Sequence, residues 1–99
     1  MAQLDKMIKA MLGQPASEIA LIANFEPQLI LQGGATHVLM NRKLPAPLLR
    51  QLIGELIGET GTAQLDTADD GEFAYAQEGQ AVTVHVRAWT SSVDARIRP

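Results

Sequence analysis

Apolar positions in this chain follow two periods that alternate along its length. In residues 2–12, Leu4, Met7, Ile8, Met11 and Leu12 fall at i, i+3, i+4, i+7 and i+8. That is one stripe of an amphipathic helix, with Asp5 and Lys9 as an i,i+4 pair off it. Gly13 stands at the C-terminal cap and Pro15 stops continuation. Residues 17–24 (SEIALIAN) are apolar on both faces after Glu18, as in a strand covered on each side. Strands over 28–33 and 35–41 follow, with Gly33-Gly34 as the hairpin signal between them.

A second helix is predicted over 46–59. Pro45-Ala46-Pro47 suits a first turn, and Leu48, Leu49, Leu52, Ile53, Leu56 and Ile57 keep the 3.6-residue period. Arg50, Gln51, Glu55 and Glu59 fill its polar side, and Gly54 and Gly58 sit four apart. Residues 60–71 (TGTAQLDTADDG) read as a loop that gathers Asp66, Asp69 and Asp70 beside Glu72. Their spacing is not that of a calcium loop, so a solvated loop is expected. Strands over 72–78, 81–90 and 94–98 complete the chain. Within 81–90, Val82, Val84, Val86 and Ala88 alternate with Thr83, His85, Arg87 and Trp89.

The pattern describes one α+β domain over residues 1–99, an antiparallel sheet of five to six strands with two main helices packed on it. With aromatic content at 4%, the core must be aliphatic. The net charge of −3 argues against a nucleic-acid partner. The absence of cysteine excludes disulfides and thiolate metal sites. Neither a secretory signal nor an apolar run of membrane-spanning length is present, so a cytoplasmic domain without membrane insertion is expected.

Enzyme constellations are missing: there is no phosphate loop and no nucleophile elbow. The two histidines, His37 and His85, have no evident carboxylate partner, and His37 reads as a structural strand residue. No catalytic residue, metal site or cofactor is therefore expected. The candidate site is a face. His85, Arg87 and Trp89 share one side of a strand, and Arg96 and Arg98 lie on its neighbour, a cluster suited to an anion or a protein partner. The competing reading is a solvated polar face with Asp94 and Glu72 as ion-pair partners. Both stay open on the sequence alone.

Pro15-Ala16-Ser17-Glu18-Ile19-Ala20-Leu21, Glu26 to Gly34, Leu44-Pro45-Ala46-Pro47-Leu48-Leu49, Gly71-Glu72-Phe73-Ala74-Tyr75, Val84-His85-Val86-Arg87 and Ala95-Arg96-Ile97-Arg98 occur in this order. In that order and spacing the chain resembles the small N-terminal domain of the type IV pilus retraction and type II secretion ATPases, the PilT/GspE family. The resemblance implies a PAS-like sheet with helices packed against it. It also implies a non-catalytic interaction module that docks on a protein partner, either a RecA-like ATPase domain or another copy of itself. The alternative it implies is a small-ligand or nucleotide sensor. The family's Ser-Asp-x-His appears here as Ser17-Glu18-Ile19-Ala20, without the histidine. The strand arginine that reaches nucleotide in the family aligns with His85, and the closing-strand arginine is kept at Arg98.

Overall fold

The computed structural model describes residues 4–14, 17–77 and 79–99. Ala2 and Gln3 of the expected first helix, the Pro15-Ala16 stop and Glu78 of the expected fourth strand lie outside the described residues. The elements run α1 (Asp5–Leu12), β1 (Glu18–Ile22), β2 (Gln28–Ile30), β3 (Thr36–Val38), α2 (Ala46–Ala68), β4 (Gly71–Gln77), β5 (Gln80–Arg87) and β6 (Asp94–Arg98). Six strands form one sheet in the order β3-β2-β1-β6-β5-β4, every neighbouring pair antiparallel. The expected α+β architecture is the one observed.

Both helices lie on one face of the sheet. Ile19 and Leu21 of β1, Ala95 and Ile97 of β6, and Val82, Val84 and Val86 of β5 point to it. They meet Ile8 and Met11 of α1 and Leu49, Ile53 and Leu65 of α2 in a single buried cluster. The cluster is aliphatic apart from Trp89, as the low aromatic content requires. Ser17 is buried at the end of α1, its hydroxyl 2.9 Å from the Met11 carbonyl and 3.1 Å from that of Gln14. It thereby satisfies C-terminal carbonyls that the helix cannot pair itself.

Four readings of the sequence are corrected. β1 was expected to be covered on both faces, but helices cover one; on the other, small Ala20 is shielded between its cross-strand neighbours Gln28 and Arg96. The β2–β3 strands are shorter than 28–33 and 35–41. Residues 31–35 form the connection, closed by Leu31 N–H to the Ala35 carbonyl at 2.7 Å. Gly33 and Gly34 take φ of 91° and 92° there, which is why glycine is used. The strand expected over 81–90 ends at Arg87, while His37, read as a structural strand residue, does lie on a strand, the exposed edge β3.

The fourth correction is larger. Residues 60–68, expected as loop, continue α2 beyond a kink at Gly58 (φ 74°, ψ −178°), a conformation reserved for glycine. Thr62 Oγ1 donates to the Gly58 carbonyl at 2.9 Å, and Leu65 is fully buried. Between Ile57 and Leu65 the inward position is Gly61, whose missing Cβ would lie 3.1 Å from the Phe73 ring. A glycine therefore occupies the place where a periodicity search looks for an apolar side chain.

Candidate functional site

The candidate residues lie on the face of the sheet opposite the helices. Cross-strand register arranges it in rows: Val38, Gln28, Ala20, Arg96, His85 and Glu72 lie side by side across all six strands. The next row brings Thr36 and Ile30 up to Glu18, with Arg98, Thr83 and Ala74 continuing it on the far side. A third sets Ile22, Asp94 and Arg87 together.

Half of this face is a ladder of charge. Glu18 sits between two guanidinium groups, with Arg96 Nη1 at 3.1 Å and Arg98 Nε at 3.3 Å. Asp94 sits between Arg96 and a third, 3.7 Å from both Arg96 Nε and Arg87 Nη2. The order along the ladder is thus Arg98, Glu18, Arg96, Asp94, Arg87, three cations holding two anions. Exposed pairs of this kind contribute about 0–1 kcal/mol each, so their effect is to fix side-chain positions more than to stabilise the fold. His85, Arg87, Asp94, Arg96 and Arg98 line a shallow depression of about 280 Å³.

The other half is uncharged on its strands and mainly apolar, with Gln28 and Thr36 among its residues. Ala20, Ile22, Phe25, Glu26 and Gln28 line a smaller depression of about 90 Å³. Phe25 is 61% exposed and Val38, in line with Gln28, is 52% exposed. These are the exposed large hydrophobic residues among those described, and both flank the same bare sheet. A single exposed apolar residue needs no explanation; here two border one uncovered face.

Of the five residues expected on one face, four lie on it. Trp89 does not. Strand β5 ends at Arg87, and Ala88 takes φ 54°, which breaks the period-two alternation. The Trp89 side chain therefore turns to the helix side, where it is 3% exposed and its indole N–H donates to Asp66 Oδ1 at 2.9 Å. Its backbone is held as well: Trp89 N–H donates to the Asp69 carbonyl at 3.0 Å, and Arg50 Nε donates to the Trp89 carbonyl at 2.8 Å. Val93, at φ 50°, closes the turn by donating to the Ala88 carbonyl, and β6 restores the alternation.

Two members of the acidic cluster expected in a solvated loop, Asp66 and Asp69, have structural tasks. Asp66 holds the indole, and Asp69, at φ 68° in the cap of α2, accepts from both the N–H and the hydroxyl of Thr90 at 2.7 Å and 2.6 Å. The hydroxyl, then the N–H, of Thr90 lowers the Asp69 carboxyl below its ordinary value. Among the described residues no group of acidic and histidine side chains is placed to hold a metal ion. Sequence reading missed Glu18 as the acid of the ladder, because its partners lie on β6, about eighty positions away. It also placed Asp5 on the solvated side of α1. Instead Asp5 is buried and accepts the phenol of Tyr75 at 2.6 Å. That bond, then desolvation, raises the Tyr75 hydroxyl above its ordinary value.

No protein-family model matches the sequence, and no curated protein matches it at significant similarity. Solved structures do. The crystal structure of the pilus retraction motor PilT with bound ADP overlays with a TM-score of 0.81 at 22% identity, covering 100% of this chain and 29% of that one. The ATPase DotB of Legionella pneumophila overlays with a TM-score of 0.74 at 19% identity, covering 96% of this chain and 27% of that one. The fold is therefore that of the N-terminal domain of such motor ATPases, as the resemblance implied, and the overlay lies outside their catalytic domain. The chain spans less than a third of the length of either protein. Among its described residues no helix is long and apolar enough to cross a membrane.

Proposed function

We propose that the chain is a non-catalytic interaction domain of the motor-ATPase kind, and that it docks on a RecA-like ATPase domain through the uncovered face of its sheet. The observation that carries this reading is the division of that face into a mainly apolar half and a pre-positioned ionic ladder. Phe25, Val38, Ile22 and Ile30 offer area to bury, and Arg87, Arg96 and Arg98 offer donors in fixed directions. Salt pairing within the ladder does not disable it. A partner carboxylate can take the place of water around Arg87 and Arg98, which are 64% and 60% exposed, without breaking the bonds of Glu18.

The test uses the purified RecA-like domain of a PilT-type motor as the partner. Replacing Arg87 and Arg96 together by Ser should weaken binding roughly tenfold or more, the scale of losing one or two charge-assisted bonds at an interface. Phe25→Ser should weaken it independently, while the circular dichroism spectrum of each variant stays native. Unchanged affinity in both variants would remove the proposal.

A further inference from the structure

The two edges of the sheet are built differently. β3 is three residues long and adjoins the Gly33-Gly34 connection, a short edge on which another strand finds little to pair with. β4 is seven residues long and pairs with β5 without a bulge from Gly71 to Gln77. Its sequence, GEFAYAQ, carries one charge, Glu72, and neither proline nor lysine, the residues that most commonly protect an edge. Gln77 and Gln80 face each other in register, and hairpin partners three positions apart exchange both ladder bonds as a rule. By alternation Gly71, Phe73 and Tyr75 aim their backbone groups at β5, while Glu72, Ala74 and Ala76 send theirs outward. No turn or loop backbone among the described residues bonds these three.

We propose that β4 joins two copies of the chain, antiparallel about a two-fold axis at Ala74, so that their sheets continue edge to edge. The strand's own chemistry selects that axis. It uses all seven residues, setting Ala74 against Ala74, Glu72 against Ala76, Phe73 against Tyr75 and Gly71 against Gln77 of the second copy. Three outward pairs then exchange two backbone bonds each. On the uncovered face only methyl groups and two well-separated carboxylates meet, so the backbones approach unhindered. On the helix side each Phe73 gains an aromatic cross-strand neighbour. Moving the axis to Glu72 would set two carboxylates against each other, and moving it to Phe73 would shorten the overlap to residues 71–75.

The inference does not rest on the docking face, and its test separates the two. The whole chain is run in sedimentation velocity across a concentration series reaching the millimolar range. A monomer–dimer equilibrium is expected for the native chain and for Arg96→Ser. It is lost in Ala74→Pro, which removes one outward donor but no bond to β5, and in Ala74→Lys, which sets two ammonium groups across the axis. Circular dichroism checks that both variants fold. Since the chain has no cysteine, Ala74→Cys reports the register directly. It should cross-link to itself on mild oxidation, whereas Ala76→Cys should not, its two copies lying roughly 13 Å apart along the strands. A native chain that stays monomeric overturns the proposal. So does a dimer that survives in Ala74→Lys or that cross-links through position 76 rather than 74.

Discussion

The indole of Trp89 donates a 2.9 Å hydrogen bond to Asp66, reaching from the β5–β6 turn to the distal half of α2. Trp89 is accordingly a fold residue, and its replacement should act on stability. Trp89→Ala should cost about 3–5 kcal/mol in chemical denaturation, the scale of emptying a large aromatic site. Asp66→Ala, which leaves the indole N–H without its acceptor, should cost about 1–2 kcal/mol. Glu18→Gln, on the exposed ladder, should cost less than about 1 kcal/mol. A native-like midpoint for Trp89→Ala would contradict the placement of this side chain.

Gly54 and Gly58 look equivalent in sequence and are opposite in structure. Gly54 has helical geometry, and an added Cβ would meet only Thr62 Oγ1 at 3.6 Å, an ordinary contact. Gly54→Ala should therefore stabilise the chain by about 0.5–1 kcal/mol. Gly58 sits at φ 74° with ψ −178°, so Gly58→Ala should destabilise it by roughly 1–3 kcal/mol. Thermal unfolding of the two variants side by side distinguishes them by sign.

The Tyr75–Asp5 bond joins the far edge of the sheet to α1, and it gives stability a signature at high pH. Because the phenol is raised above 10.0 in the folded chain, the unfolded chain loses that proton first. The contribution is full below about pH 10 and fades as pH rises through the folded value. Tyr75→Phe should cost about 1–2 kcal/mol at neutral pH and flatten the alkaline limb of the profile. An unchanged limb in that variant would contradict the assignment.

Asp69 gives the opposite signature in acid. Its carboxyl is lowered from 3.8 by the two Thr90 bonds, so the unfolded chain takes up that proton first. The contribution is present above the unfolded value and is lost as pH falls through the folded one. Asp69→Asn keeps an acceptor oxygen and tolerates the left-handed backbone, so its acid limb should flatten with less overall loss than in Asp69→Ala. Equal losses in the two would remove the capping role.

Strand and helix periods were legible wherever side-chain chemistry repeats. The alternation Val82, Val84, Val86 placed β5, and Leu49, Leu52, Ile53 and Leu56 placed the first half of α2, all buried as the pattern requires. The readings that changed fall where the backbone, not the side chains, carries the information. Ala88 at positive φ inverts Trp89, which no residue type announces, since alanine has no preference for that region. Gly61 hides the second half of α2 by contributing no apolar group where Phe73 packs. Within the site, the arginines were found by strand spacing alone. Glu18 and the apolar border at Phe25 and Val38 emerge only once β1 is placed between β2 and β6.

The most direct measurement is amide chemical-shift mapping of the isotopically labelled chain on titration with the RecA-like domain of a PilT-type motor. Saturable shifts should concentrate on Glu18, Ala20, His85, Arg87 and Arg96, with Phe25 and Val38 at the margin, and leave the exposed residues of α1 and α2 unmoved. Shifts gathered instead on Lys6, Gln51 and Glu55 of the helices, or no saturable shifts, would mean that the uncovered face of the sheet is not where this domain binds.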